Sequence, residues 1–196
     1  MAVETSTDDT PWATTIHGMV ERTLSSEHAF RGRLLNLRVD QVELESGRHA
    51  SREIVEHRGA VAICAWDGER LAMVRQWRQA AGSELLEIPA GTLDGDEQPR
   101  PAAERELAEE CGLAAAHWEE GPTFFTAPGF STERLTVFLA TDLTTVEVEA
   151  PDDEALERSS VALPELLAAA DQGRILDAKS MVAIYWLARR LNAGGR

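Results

Sequence analysis

Three glutamates in one short helix constrain this chain more than any other feature of its sequence. The stretch Ala102–Cys111 is predicted to be helical, and Gly112 is a typical C-terminal stop. At about 100° per residue, Glu106, Glu109 and Glu110 project within one arc of roughly 100°. An apolar stripe that can be buried lies on the adjacent face and consists of Ala103, Leu107 and Cys111. The helix therefore carries a carboxylate cluster beside its core-facing side.

The helix alone leaves two explanations of this cluster open. In the first, the glutamates lie on a solvated face, where Arg105 and Glu109 form an ordinary i,i+4 ion pair. In the second, a hard divalent cation neutralises the carboxylates, whose oxygen atoms suit Mg²⁺ or Mn²⁺. Only the residues around the helix can decide between them.

The flanking residues repeat the spacing of a known motif. The segment reads Gly91, five residues, Glu97, seven residues, Arg105-Glu106-Leu107, one residue, Glu109-Glu110, one residue, Gly112-Leu113. This pattern resembles the Nudix box at every specified position. The resemblance implies an α+β chain with the Nudix fold, an α/β/α sandwich around a mixed sheet in which a loop-helix-loop carries the metal site.

The resemblance also implies roles for the residues of the box. Glu106, Glu109 and Glu110 become metal ligands and catalytic residues, and the carbonyl group of Ala90 joins the ligands. Glu97 would orient the site from the loop, and Arg105 would hold the glutamates in place. The expected cofactor is Mg²⁺ or Mn²⁺, with two or three ions in each site.

Residues outside the box resemble those of the ADP-ribose pyrophosphatase subgroup of Nudix enzymes. The resemblance lies in Val74-Arg75-Gln76-Trp77-Arg78, in Glu87-Ile88-Pro89-Ala90-Gly91, and in the Pro128-Gly129 step that Glu133 follows. Read without the resemblance, Pro128-Gly129 is a plain turn and Arg78 a surface ion pair. With it, the substrate-binding residues are expected to be Arg78, Arg52, Glu87, Pro128, Gly129 and Glu133.

An acidic stretch, Pro151-Asp152-Asp153-Glu154-Ala155-Leu156-Glu157, precedes the last predicted strand. Without the resemblance it is a solvated charged loop. In similar enzymes this loop supplies the carboxylate that activates water or binds a further metal ion. Glu154 takes that place here as a catalytic residue and metal ligand, and the alternates are Asp152, Asp153 and Glu157.

The chain is predicted to have three parts. Residues 1–15 form a flexible polar tail, residues 16–58 a small antiparallel β module, and residues 59–196 the Nudix domain. The module is expected from three strands, at Met19–Ser25, Phe30–Leu44 and His49–Arg58, with a turn at Ser46-Gly47. Another loop is expected from Pro89 to about Arg100. By resemblance, the module pairs two subunits, so we expect a homodimer.

Composition excludes several classes of protein. The formal net charge is −15, which disfavours duplex nucleic acid as a partner. The apolar runs are too short to span a membrane, and the first arginine, Arg22, comes too late for the basic region of a signal peptide. Two cysteines without a CxxC pattern, Cys64 and Cys111, indicate reduced thiols. The sequence thus predicts a cytoplasmic protein that acts on a small molecule.

The function that these features favour is Mg²⁺-dependent hydrolysis of ADP-ribose to AMP and ribose 5-phosphate. The first alternative is a Nudix pyrophosphatase for another NDP-sugar or a dinucleoside polyphosphate. The second is a sensor that binds ADP-ribose without hydrolysing it.

Overall fold

The structure is a computed structural model that describes residues 20–148 and 155–194. The chain divides into two compact units, Met1–Val55 and Glu56–Arg196. The predicted tail, residues 1–15, lies outside the described residues. The predicted three-part division of the chain stays a prediction.

The first unit contains one sheet of three strands, β1 (Arg22–Arg31), β2 (Asn36–Glu43) and β3 (His49–Glu56), in the order β1-β2-β3. Strands β1 and β2 are antiparallel. The predicted turn at Ser46-Gly47 is confirmed, because Gly47 adopts a φ of 76° and the Leu44 N–H donates to the Arg48 carbonyl at 2.8 Å.

One strand boundary in this unit is corrected. Phe30 was expected to open the second strand, but it lies in β1. The chain turns after it, where the Gly32 N–H donates to the Leu35 carbonyl at 3.0 Å. A Cβ atom at Gly32 would lie 2.7 Å from the Phe30 ring and 2.9 Å from the Leu35 oxygen, so glycine permits this tight turn. Apolar alternation alone did not mark the break.

The second unit alternates short strands with helices. Its described elements are, in chain order, β4 (Ala60–Ala65), β5 (Arg70–Arg78), β6 (Ser83–Glu87), β7 (Ala90–Thr92), α1 (Pro99–Cys111), β8 (Leu113–Phe125), β9 (Arg134–Thr145), β10 (Leu156–Ala162), α2 (Leu163–Asp171) and α3 (Ala178–Gly194). The strands form an antiparallel sheet in the order β10-β5-β6 and a mixed sheet in the order β7-β4-β9-β8. Strands β4 and β9 run parallel, whereas β7 and β8 pair antiparallel to their neighbours.

Strand β4 separates two hydrophobic cores. All six of its residues are buried, and successive side chains point to opposite faces of the sheet. Ala60, Ala62 and Cys64 pack in one core with residues of α2 and α3, such as Leu166 and Ile184. Val61, Ile63 and Ala65 pack in the other core with Ala102, Ala103 and Leu107 of α1. The mixed sheet therefore lies between two helical layers, which agrees with the predicted sandwich.

The segment before the helix departs from its prediction. It was expected to be a loop from Pro89 to Arg100, but Ala90–Thr92 form strand β7, and α1 already begins at Pro99. A proline fits the first helical turn because its missing N–H would have no partner there. At the other end, Gly112 is confirmed as the C-terminal stop, since it adopts the left-handed conformation with a φ of 65°.

Both cysteines are free. Burial raises the pKa of Cys64 and of Cys111 to about 12 in each case, so the thiolate needed of a nucleophile is scarce near neutral pH. Among the described residues, no helix combines the length and apolar character needed to cross a bilayer.

Candidate active site

Strand β7 presents the backbone of Ala90 to helix α1. Ala90 faces Ala62 of β4 in a pair that exchanges no hydrogen bonds, because the bonds of this ladder join Ile63 to Pro89 and Leu93 to Gly59. The N–H and C=O groups of Ala90 therefore both point away from β4. The N–H donates to Glu110 Oε2 at 2.9 Å, which places the Glu110 carboxylate beside the Ala90 carbonyl.

Gly91 makes room for the second carboxylate. A Cβ atom at this position would lie only 1.9 Å from Glu106 Oε1, much closer than side chains approach one another. The backbone of Gly91 does not adopt a positive φ, so space and not conformation requires glycine here. Gly91 and the Glu106 carboxylate thus pack directly against each other, although most of the motif separates them in sequence.

Arg105 gathers the remaining acids of the box. Its guanidinium donates to Glu97 at 3.0 and 3.2 Å, to Glu106 at 2.7 Å and to Glu109 at 3.0 Å. The hydrogen bonds with Glu97, followed by the charges of the other acids, raise the pKa of Arg105. The same contact lowers the pKa of Glu97, which also accepts a hydrogen bond from the Asp94 N–H. Arg105 therefore holds three carboxylates that would otherwise repel one another.

Arg158, a residue of strand β10, caps the C-terminal end of α1. Arg158 of β10 donates from Nε to the Glu110 carbonyl at 2.7 Å and from Nη2 to the Glu109 carbonyl at 3.0 Å. A cation at this end also interacts favourably with the helix dipole. A Cβ atom at Gly112 would lie 2.9 Å from Arg158 Nη1, so the glycine that ends the helix also gives Arg158 access to it.

Replacing Arg158 with Ala is expected to lower the free energy of unfolding by about 1 kcal/mol, because two carbonyl groups lose a charged donor. For a domain of this size this corresponds to a fall in Tm of about 2–4 °C, measured by calorimetry. The control is Arg75→Ala, which removes an exposed pair with Glu157 at 3.8 Å. An equal effect of the two variants would contradict the capping role.

Arg78 forms an ion pair with the buried Glu87 on the neighbouring sheet. Arg78 donates from Nε and Nη2 to the two oxygens of Glu87 at 2.8 and 2.7 Å. The Glu87 side chain is 1% exposed, and it also contacts Lys179. Burial by itself would raise the pKa of Glu87, but the two cations outweigh it and the pKa is lowered. Contact with Glu87 and the nearby charges of Glu110 and Asp177 raise the pKa of Arg78.

Lys179 was missed by sequence reasoning. It is the only lysine in the chain, and that rarity was the one available signal. Its contact with Glu87 joins residues 92 positions apart, and no local pattern encodes such a pair.

The segment that contains Pro128 and Gly129 forms a closed turn. The Phe130 and Ser131 N–H groups both donate to the Ala127 carbonyl, at 3.1 and 2.9 Å. Glu133 closes the turn, because its backbone carbonyl accepts from the Thr126 N–H at 3.2 Å and its carboxylate accepts from the Thr126 hydroxyl at 2.5 Å.

Two further candidates lie elsewhere in the chain. Arg52 belongs to the first unit, where its guanidinium forms a bidentate ion pair with Glu21. Glu157 is exposed in β10 and lies 3.8 Å from Arg75. The other candidates of the acidic stretch, Asp152, Asp153 and Glu154, lie outside the described residues.

Comparison with known families agrees with this geometry. The family profile described as "NUDIX domain" matches residues 56–181, and the profile described as "Nucleoside diphosphate sugar hydrolase N-terminal domain" matches residues 21–55. The chain belongs to the Nudix family. Its α+β class and mixed sheet are those expected from the sequence.

Several relatives of this Nudix protein carry functional names. An ADP-ribose pyrophosphatase of Bacillus subtilis is 39% identical over 170 residues, which cover 85% of this chain and 92% of that protein. The methanol dehydrogenase activator of Bacillus methanolicus has the same identity and coverage. An ADP-ribose pyrophosphatase of Mycobacterium tuberculosis is 47% identical over 136 residues, which cover 68% of this chain and 66% of that protein.

A solved structure agrees on the fold. The crystal structure of an ADP compounds hydrolase superposes with a TM-score of 0.80 at 23% identity, and covers 90% of this chain and 96% of that chain.

The donor set of this Nudix protein fits a hard divalent cation. Within the described ranges, no three acidic, histidine or cysteine side chains are already grouped in an arrangement that could hold a metal ion. The chemistry is nevertheless suitable, since the Glu110 carboxylate, the Ala90 carbonyl and the Glu106 carboxylate beside Gly91 all offer oxygen atoms. Arg105 contacts Glu106 and Glu109, so it compensates part of their negative charge.

Proposed function

We propose that this Nudix protein hydrolyses the pyrophosphate bond of ADP-ribose to give AMP and ribose 5-phosphate. One observation carries the proposal: Glu110 of α1 accepts a hydrogen bond from the Ala90 N–H at 2.9 Å, and Arg78 pairs with Glu87, three residues before Ala90, so carboxylates and a guanidinium meet the same short segment. A pyrophosphate needs both features, oxygen ligands for a metal ion and a donor for its own oxygens. The two relatives named ADP-ribose pyrophosphatase support the choice of substrate.

The metal ligands in this proposal are Glu106, Glu109, Glu110 and the carbonyl of Ala90, which would hold two or three Mg²⁺ ions. Bound Mg²⁺ supplies compensation for the charge that develops on the phosphoryl oxygens and lowers the pKa of water. Arg105 keeps the acids together, and the Ala90 N–H fixes the rotamer of Glu110.

Arg78 is proposed to bind a phosphate group of the substrate. Its bidentate contact with Glu87 uses Nε and Nη2, which turns Nη1 away from the acid. The side chain is 38% exposed, so solvent and ligands can reach part of it. Glu87 contributes by orienting Arg78, while the turn with Pro128, Gly129 and Glu133 is proposed to border the substrate.

Glu154 is proposed as the base that removes the proton from the attacking water. The proposal follows from the family resemblance, and Asp152, Asp153 and Glu157 are the alternates. A set of single amide variants at these four positions identifies the base as the one whose loss lowers kcat most. Full activity of Glu154→Gln would exclude it.

Arg52 is proposed to contact the nucleotide, and the first unit to join two chains in a homodimer. The first unit exposes large apolar side chains, and an exposed apolar surface of this kind is typical of an interface. These side chains are Leu24 and Phe30 of β1 and Leu34 of the turn between β1 and β2. Sedimentation should give twice the mass of the chain, and a monomer at micromolar concentration would contradict the proposal.

The deciding experiment incubates the purified chain with ADP-ribose and Mg²⁺ and identifies the products. AMP and ribose 5-phosphate in equal amounts are expected, and EDTA should abolish their formation. Reaction in ¹⁸O-labelled water shows which phosphorus is attacked, because the label enters only one product. A panel with other NDP-sugars and dinucleoside polyphosphates tests the first alternative. Binding of ADP-ribose without turnover in Mg²⁺ would favour the sensor.

A further inference from the structure

Lys179 occupies an unusual position for a lysine. It lies in the first turn of α3, and its side chain is only 13% exposed. Lysine is rarely buried unless it is paired, because its ammonium group is strongly hydrated. The partners here are the carboxylates of Glu87, which it contacts directly, and of Asp177 at 3.0 Å.

Glu87 is therefore held between two cations. Arg78 approaches both of its oxygens from one side, and Lys179 contacts Oε2 from α3. If Lys179 were lost, Arg78 would still neutralise the buried acid, so the fold would retain the essential ion pair. Glu87 would lose the contact with Lys179 that restricts its side chain from α3. Among these three residues, Arg78 alone would then hold the acid.

The start of α3 also holds the backbone that leads into β7. The Ser180 hydroxyl accepts a hydrogen bond from the Ile88 N–H at 2.9 Å and donates to Asp177 at 2.5 Å. Asp177 also accepts from the Ser180 N–H at 3.0 Å, so it caps the helix. From there the chain passes through Pro89 to Ala90, whose N–H meets Glu110. One helix start thus supports both the strand with Glu87 and the path to the metal ligands.

We propose that Lys179 is a positioning residue that fixes Glu87, and through it the guanidinium of Arg78, for the substrate phosphate. This inference rests on the proposed function, because it assigns Arg78 to a phosphate group. Lys179 and Arg78 both contact Glu87 Oε2, so the acid is held in place for the guanidinium. The two contacts restrict the rotamers of Glu87, so less freedom is lost when the phosphate binds.

The test is a double-mutant cycle of Lys179→Met and Arg78→Gln. Lys179→Met, which keeps the apolar stem, is expected to raise KM for ADP-ribose about ten-fold and to change kcat by less than about two-fold. In the Arg78→Gln background it should leave KM unchanged within about two-fold, because its effect passes through Arg78. Lys179→Arg should recover most of the loss, since it restores a cation.

The matched control is Arg190→Met. It removes a cation from the same helix, where Arg190 pairs with exposed Glu119 at 2.9 Å, and should leave KM unchanged. Circular dichroism and Tm verify that each variant folds. If Lys179→Met does not fold, Lys179→Gln replaces it in the cycle. An unchanged KM in folded Lys179→Met would overturn the inference. So would a rise in KM that is equally large in the wild type and in the Arg78→Gln background.

The same cycle read on equilibrium binding separates this inference from the proposed function. Calorimetry measures Kd for ADP-ribose without divalent cations in the four proteins of the cycle. A wild type that binds but never hydrolyses ADP-ribose refutes the proposed activity, whereas the coupling of Lys179 to Arg78 in Kd still supports this inference. If the wild type hydrolyses ADP-ribose but the effects of the two substitutions on Kd are independent, only the inference about Lys179 is overturned. A wild type that neither binds nor hydrolyses ADP-ribose overturns both.

Discussion

Replacing Glu110 with Gln is expected to lower kcat for ADP-ribose by about three orders of magnitude. The amide oxygen can still accept the hydrogen bond from the Ala90 N–H, so the local backbone has no reason to move. The negative charge that a divalent cation requires is lost. Charge stabilisation by such an ion contributes several kcal/mol to a transition state, and each 1.36 kcal/mol is about ten-fold in rate. Steady-state kinetics over a Mg²⁺ series measures the loss.

Glu104→Gln is the matched control for this prediction. It removes the same charge from the same helix, but Glu104 is exposed and pairs with exposed Arg100, four residues before it. Its kcat and Tm should equal those of the wild type within about two-fold and 2 °C. A Glu110→Gln variant with wild-type kcat, or a Glu104→Gln variant with the same large loss, would refute the assignment of Glu110 as a ligand.

Replacing Gly91 with Ala is expected to lower kcat by about 100-fold while the fold persists. The added methyl group cannot coexist with the Glu106 carboxylate, whose Oε1 would lie 1.9 Å away. That carboxylate is the far end of a flexible side chain, so it can swing aside at a cost of about 1 kcal/mol or less. A displacement of about 1 Å in a catalytic group can cost about 100-fold in rate. Kinetics and thermal unfolding of the same preparation separate the two effects.

A second variant tests whether the clash acts through Glu106. In the Glu106→Gln background, Gly91→Ala should add less than about three-fold to the loss, because the ligand is already impaired. If the two fold-losses in kcat multiply in the double variant, Gly91→Ala acts independently of Glu106. A loss of more than about 10 °C in Tm for Gly91→Ala would likewise contradict a local effect on Glu106.

Much of the α1 region could be predicted from the sequence because it is local. The helical period fixes Glu106, Glu109 and Glu110 on one side, and it places Glu109 beside Arg105, where the structure has a 3.0 Å contact. Gly112 likewise predicts the end of the helix, since glycine adopts the left-handed backbone conformation found there at little cost. The Nudix fold was implied by the family resemblance that the spacing of these residues carries.

Strand β7 could not be predicted from local sequence rules. It has three residues, one of them Gly91, and neither length nor propensity distinguishes it from a loop. It exists because β4 supplies its hydrogen-bond partners. The substrate residues outside the box are likewise known only from resemblance, and their roles stay proposals.

The sequence by itself determined the register of the acids along α1, the glycine that ends this helix and the family to which the chain belongs. Only the tertiary structure decided which distant residues support those acids. Arg158 reaches Glu110 across 48 positions, and Lys179 reaches Glu87 across 92. Such contacts arise when packed sheets and helices bring remote side chains together, and no periodic pattern in the chain records them.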